Sequence, residues 1–372
     1  MRRVAAVGGV GARAAVLVVA RAVAVAVLLA GAVAAVAADY PDVTPADRVQ
    51  LPADAGAHPA FHTEWWYVTG WLETAGRAPL GFQVTFFRTR PAPPDGNPSA
   101  FAAEAVVIAH AALSDPGRGR LRHDERIARA GLGVAAAATG HTDVRLRDWS
   151  LAEAPGGYQA RIAAADFRLL LDLAPTGPAL LHGRGGYSQK GPAPTSASLY
   201  YSLPQLRVTG SVERDGRTEP VTGRAWLDHE WSSAYLDAAA VGWDWVGLNL
   251  DDGGALMAFR IRDAAGKARY AGGTRRAPDG SVEVLAPAEV EFRPGRRWRS
   301  PRTLTEYPVE WQLRAGGRTY SLVPLLDDQE SDSRATTGAV YWEGAVTASV
   351  AGARVGRGYL ELTGYGAGLE LR

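Results

Sequence analysis

His62-Thr63-Glu64-Trp65-Trp66-Tyr67-Val68-Thr69-Gly70-Trp71-Leu72, followed after a break by Gly81-Phe82-Gln83-Val84-Thr85-Phe86-Phe87-Arg88, decides the fold. Aromatic and β-branched side chains dominate both runs, and an extended chain sends successive side chains to opposite faces. Trp65, Tyr67, Thr69 and Trp71 then share one face, and Trp66, Val68, Gly70 and Leu72 the other. The intervening residues hold Gly76 and Pro79, so the two runs read as a hairpin.

The pattern returns 178 residues later, counted from Trp65 to Trp243. Trp243 to Leu250 is strand-like, Asp251-Asp252-Gly253-Gly254 forms a turn, and Ala255 to Arg262 returns. Further strand-like runs, bounded by Gly and Pro, include residues 105–113, 143–151, 158–164, 198–201, 206–213, 281–292, 307–313 and 339–350. Residues 115–139, rich in Gly and Ala, are consistent with either a short helix or an irregular excursion. The expectation is an all-β protein built from one folding unit used twice.

The first 38 residues carry Arg2, Arg3, Arg13 and Arg21 and no acid, and residues 22–38 are uncharged and end in small side chains. This is the pattern of a cleaved signal peptide, and the expected location is periplasmic or secreted. A 17-residue apolar run also sits at the short limit of about 17–25 residues for a membrane-spanning helix, so an N-terminal membrane anchor is the alternative. Without these residues the chain has 36 basic and 39 acidic side chains and no basic run, which argues against nucleic acid as a partner. The absence of cysteine excludes disulfides, thiolate metal sites and a cysteine nucleophile.

Asp228-His229-Glu230-Trp231 is the densest group of ionisable side chains beside aromatics. On a strand His229 and Trp231 face one way, and Asp228 and Glu230 the other. A histidine among apolar rings can transfer protons, and a buried carboxylic acid can keep its proton and donate it. Aromatic faces can stabilise a cation. The same residues also suit a polar corner that orders a loop. Glu64 and Asp244 adjoin the two tryptophan strands, and Gln83 sits between Phe82 and Val84. Lys190, one of two lysines in the chain, lies in a Gly-rich stretch ahead of Tyr200-Tyr201. His58 and His62 have helical ligand spacing, yet Pro59 and the following strand break it, so neither metal nor cofactor is expected.

The runs HTEWWYVTGWL (62–72), GFQVTFFR (81–88), HGRGGYSQKG (182–191), YYS (200–202), GRAWLDHEWSS (223–233), GWDWVGLNL (242–250) and GYLELTGY (358–365) resemble, in this order, the AttH/CrtC family of lipocalin-like exported proteins related to carotenoid 1,2-hydratases. The resemblance implies two tandem lipocalin- or calycin-like β-barrels, which we place at residues 45–215 and 216–372 behind a leader at 1–38. It also implies cofactor-free addition of water to a carbon–carbon double bond in hydratase members. His229-x-Trp231 matches the family's histidine and tryptophan, and Asp244 is the candidate acid; the hydratases' downstream tyrosine has no counterpart in residues 242–250.

The sequence therefore sets out three readings: a binder of a hydrophobic, lipid- or isoprenoid-like molecule, a hydratase- or isomerase-type enzyme, and an assembly partner of a membrane ABC-type transport system. Expected catalytic residues are His229, Trp231 and Asp244. Expected ligand-binding residues are Glu64, Trp65, Trp66, Gln83, Lys190, Tyr200, Tyr201 and Trp243.

Overall fold

The hairpin read from the sequence forms as Thr63–Thr74 and Leu80–Thr89, with Trp66 opposite Phe86 and Val68 opposite Val84. The computed structural model describes residues 40–91 and 103–366; the leader at 1–38 lies outside them. The described residues form 13-, 10- and 2-stranded sheets, and their longest helical segments are two three-residue 3-10 turns. The protein is all-β and lipocalin-like.

The two large sheets are wired alike. In the first, the opening strand Thr63–Thr74 pairs with its return strand on one side and with the closing strand Arg217–Ser232 on the other. In the second, Gly242–Leu250 pairs with Ala255–Arg262 and with its closing strand Ala353–Leu362. The half-chain repeat thus reappears as topology.

The sheet-to-sheet boundary falls later than expected. Residues 217–232, assigned on sequence to the second barrel, complete the first, because they are held between Thr63–Thr74 and Ala197–Arg214. The chain crosses to the second sheet between Ser232 and Gly242. The ambiguous stretch 115–139 contains strand Arg120–Arg129, which pairs along its length with Val106–Asp115.

Each large sheet curls around its own core. Trp66, Val68, Phe82, Phe86, Trp149 and Trp231 belong to the first, and Val246, Leu248, Trp311, Tyr320 and Trp342 to the second. The first sheet's strand order leaves two edges, and from the edge strand Arg120–Arg129 side chains reach across to later strands: Arg126 reaches Asp148 and the Ala163 carbonyl, and Asp124 accepts from the Ala165 amide. A third core lies between the sheets, where Tyr67, Trp71, Tyr200 and Trp226 of the first meet Trp245, Met257, Phe259 and Tyr359 of the second. The sheets approach closely there: a Cβ on Gly81 would lie 2.5 Å from that of Ala345. This third core explains why the opening strand is apolar on both faces.

Candidate functional site

Alternation on the closing strand Arg217–Ser232 separates two clusters of ionisable groups. His229 and Trp231 point into the first barrel; Asp228 and Glu230 point at the second sheet.

Inside the first barrel, Glu64 is the hub. It is fully buried, and its Oε1 accepts from His229 Nε2 at 2.8 Å and His58 Nδ1 at 2.7 Å, while Arg88 Nε donates to Oε2 at 2.9 Å and the His58 amide also donates. Burial works to raise its pKa, but these two histidine hydrogen bonds prevail and hold it well below the usual carboxylate range. Burial lowers His229, the Glu64 contact opposing, so its ring is neutral. Nε2 then carries the proton, and Nδ1 accepts from the Tyr201 hydroxyl at 3.2 Å. Trp66 and Trp231 flank the ring, and His58 stacks on Trp231 at 3.7 Å. His58, Glu64 and His229 have ligand atoms within 4.8 Å of one another, a set that could hold a metal. Here those donors are spent on hydrogen bonds to one carboxylate that Arg88 already neutralises.

Between the sheets lies a cavity of about 370 Å³, near the lower limit of small-molecule sites, roughly 300–1,000 Å³. Strand register builds it. The row Tyr200–Glu230–Trp65–Phe87 crosses the first sheet, and the row Ser202–Asp228–Tyr67–Thr85–His110 runs beside it. From the second sheet come Trp243 and Trp245 of the opening strand, Tyr341 and Glu343 of Ala339–Val350, and Glu361 of the closing strand. Trp245 and Glu343 stand directly opposite Glu361 on its two neighbouring strands.

Four carboxyl groups therefore converge on an aromatic-walled space. Burial pushes Asp228 up to about 7, though Ser202, Trp226 and Tyr200 all donate to it. Burial pushes Glu361 up to about 8, with the charges of Asp228 and Glu230 adding to it. Glu343 rises well above the ordinary value through burial and then through Glu361 opposite it. The Tyr67 hydroxyl is its buried neighbour and the one polar group that counters this rise. Glu230 is also raised by burial, but it is tied to buried Lys190 at 3.0 Å, whose ammonium lies over Tyr200 and Phe259. Two carboxyls directly opposed in a poorly solvated site cannot both ionise cheaply, so the Glu343–Glu361 pair retains a proton near neutral pH. On the far wall His110 Nδ1 accepts from the Tyr341 hydroxyl at 2.6 Å, coupling the two sheets, and burial lowers its pKa to about 3.

The expected site residues are divided between these places. Trp65 and Trp243 line the cavity, with Tyr200 and Lys190 directly behind its acids. Glu64, Trp66, Tyr201, His229 and Trp231 gather inside the first barrel. Gln83 is buried on the cavity-side face of its strand, donating to Thr85. Asp244 joins neither group: it faces the second barrel's interior, paired with Arg260 and Arg262 and accepting from Tyr365. His229, Trp231 and Asp244 therefore do not converge on one space. Glu343, Glu361 and His110 escaped notice because a lone polar residue in an apolar strand reads as solvent-facing.

Two lipocalin-like sheets set back to back, with a carboxyl-lined cavity at their seam, define the class. The chain matches the AttH-like family model over residues 42–365 and belongs to that family. A candidate AttH from Nitrosomonas europaea, known from a crystal structure, is 51% identical; the alignment covers 87% of this chain and 99% of that one, with a TM-score of 0.82. Kievitone hydratase from Nectria haematococca shares the fold at 16% identity and TM-score 0.65, over 88% of this chain and 96% of its own. Comparison with curated proteins finds no match.

Proposed function

We propose that the protein is a cofactor-independent, hydratase-type enzyme that takes an apolar, unsaturated small molecule, isoprenoid-like in character, into the cavity between its sheets. The observation that carries this reading is the opposed pair Glu343–Glu361 inside an aromatic-walled cavity, with Asp228 and Glu230 on the other wall. A site built only to hold an apolar molecule gains nothing from four buried carboxyls, whose desolvation is costly. A site that protonates a double bond needs an acid still protonated near pH 7. Kievitone hydratase adds an analogy of fold only.

In the proposed step, the proton held by Glu343 or Glu361 moves to one alkene carbon, and the π electrons form the new C–H bond. Positive charge develops on the other carbon among Trp65, Tyr67, Trp243 and Trp245, whose ring faces are each worth up to about 2 kcal/mol to a desolvated cation. Asp228 and the Lys190-paired Glu230 supply the opposing field. Water attacks the cation, and its released proton returns to the carboxylate pair, so the sum is addition of one water. His229 and Glu64 stand behind this wall as neighbours in the closing and opening strands and hold its shape.

An exported location, a hydrophobic small-molecule partner, and the ABC-type transport partner as the alternative remain parts of the proposal. N-terminal sequencing of protein recovered from a periplasmic fraction tests the first.

The reaction is tested by incubating the protein with short isoprenoid and aryl alkenes in ¹⁸O-labelled water and reading products by mass spectrometry. Labelled alcohol formed by wild type and lost in Glu361→Gln and Glu343→Gln supports hydration. Tight retention of a member of this panel, returned without label, overturns it in favour of binding alone.

A further inference from the structure

Along the outward face of the closing strand, Arg224, Trp226, Asp228 and Glu230 follow one another at every second position. The acids serve the cavity above. Arg224, about 13 Å from Asp228 at the strand rise of about 3.3 Å per residue, opens onto a different space. This is a cleft of about 610 Å³ at the other end of the seam, with Trp71, Arg207, Arg224, Arg354 and Arg357 in its walls. Buried Trp71, Trp226 and Trp245 pack between it and the carboxyl cavity.

The charges of this cleft do not cancel. Arg357 pairs with Glu73 and lies over the Trp71 ring, and Arg354 pairs with Asp251 at 3.1 Å. Arg207 and Arg224 have no carboxylate partner among the described residues, yet they stand directly opposite each other on adjacent strands. Both are solvent-exposed, so water and salt screen part of their repulsion, and an anion between them would remove the rest. The arrangement is braced. Arg224 donates to the side-chain oxygen of Gln205, whose own amide nitrogen is anchored to the carbonyls of Leu250 at 2.9 Å and Gly254 at 2.7 Å. Gln205 has a φ of 62°, the left-handed region that a non-glycine residue enters at a cost. Its backbone amide donates to Asn249 of the second sheet. Both sheets thus hold one guanidinium in place.

We propose that this cleft is a second binding site, specific for a phosphate group carried by a phosphomonoester or a lipid headgroup. Glu73 and Asp251 in the walls are taken by Arg357 and Arg354, so the two remaining guanidinium forks match a doubly charged tetrahedral oxyanion, which accepts paired N–H donors from each. Thr209 and Thr222, opposite each other beside the arginine pair, add hydroxyls to the walls.

Calorimetric titration with inorganic phosphate and glycerol 3-phosphate at low ionic strength tests the site on the whole protein. Wild type should bind at least one of them at millimolar concentration or below. Arg207→Gln with Arg224→Gln should weaken binding about 10-fold or more, and Arg168→Gln, an exposed arginine on another strand, should not. Co-sedimentation with phosphatidic acid vesicles separates the sources: capture lost in the double variant assigns a headgroup, and binding of the soluble esters without capture assigns a free phosphomonoester. Circular dichroism checks that the variants remain folded. No response to either phosphate compound or the vesicles, or equal binding by wild type and the double variant, overturns the proposal.

Discussion

Replacing both opposed glutamates, Glu343→Gln with Glu361→Gln, should change how stability depends on pH. A carboxyl whose folded pKa is raised binds its proton more tightly folded than unfolded. Its contribution is therefore present at low pH and is lost as pH rises through the folded value. Glu361 moves from 4.5 to about 8, which corresponds to a loss of about 2 kcal/mol between roughly pH 6.5 and pH 8.5. Asp228, moving from 3.8 to about 7, loses about 1 kcal/mol over the same interval. Buried histidines act in the opposite direction at the low end of this window, but equally in wild type and double variant, so the difference between the two proteins is free of them. His110, His123, His182 and His229 have lowered values, and each such histidine gains about 0.4 kcal/mol as pH rises from 6.5, its unfolded value, to 8.5. Urea denaturation at the two pH values should show wild type losing about 2 kcal/mol more than the double variant. Equal losses would refute the assignment of a retained proton to this pair, and with it the source of acid in the proposed reaction.

Lys190→Met should cost about 3–5 kcal/mol by leaving Glu230 buried without its cation, and adding Glu230→Gln should recover much of it; a double-mutant cycle by urea denaturation reads the coupling. Glu64→Ala strands Arg88 and two histidines inside the first barrel and should cost about 3–5 kcal/mol in the same assay. Gly81→Ala drives a methyl group against Ala345 of the facing sheet and should cost about 1–3 kcal/mol, read as a lowered thermal midpoint. If the proposed reaction holds, turnover should fall as pH rises through about 8, where Glu361 gives up its proton, and Glu361→Gln should abolish that limb of the profile.

The strands were legible because alternation is local. Trp65 and Trp66, or Asp228 and His229, could be sent to opposite faces from the sequence alone, and the structure keeps those assignments. What the sequence could not show was the second layer. A strand's outward face is exposed in one sheet and buried in two, and nothing near Glu343 or Glu361 says which applies. The same blindness placed Asp244 with the functional residues. The paired arginines that neutralise it, Arg260 and Arg262, lie on the return strand, at positions where register rather than sequence proximity brings them together. His58 shows the converse. Pro59 already ruled out a helical pair with His62, but only the fold shows that the chain turns His58 towards Glu64 and leaves His62 at the cavity.

The seam between the sheets also bears on how such a site could arise. A single barrel with this wiring presents its outward face to water, where an aspartate, a glutamate and several tryptophans form only a wettable surface patch. Joining two barrels in one chain turns both patches into one interior at a single step. Carboxyl groups that a lone barrel would leave in water are enclosed in the pair by the facing sheet, outside either barrel's own core. The acidity we ascribe to the cavity belongs to neither half of the polypeptide, so the two barrels produced separately should each fold around a sound core and lack it.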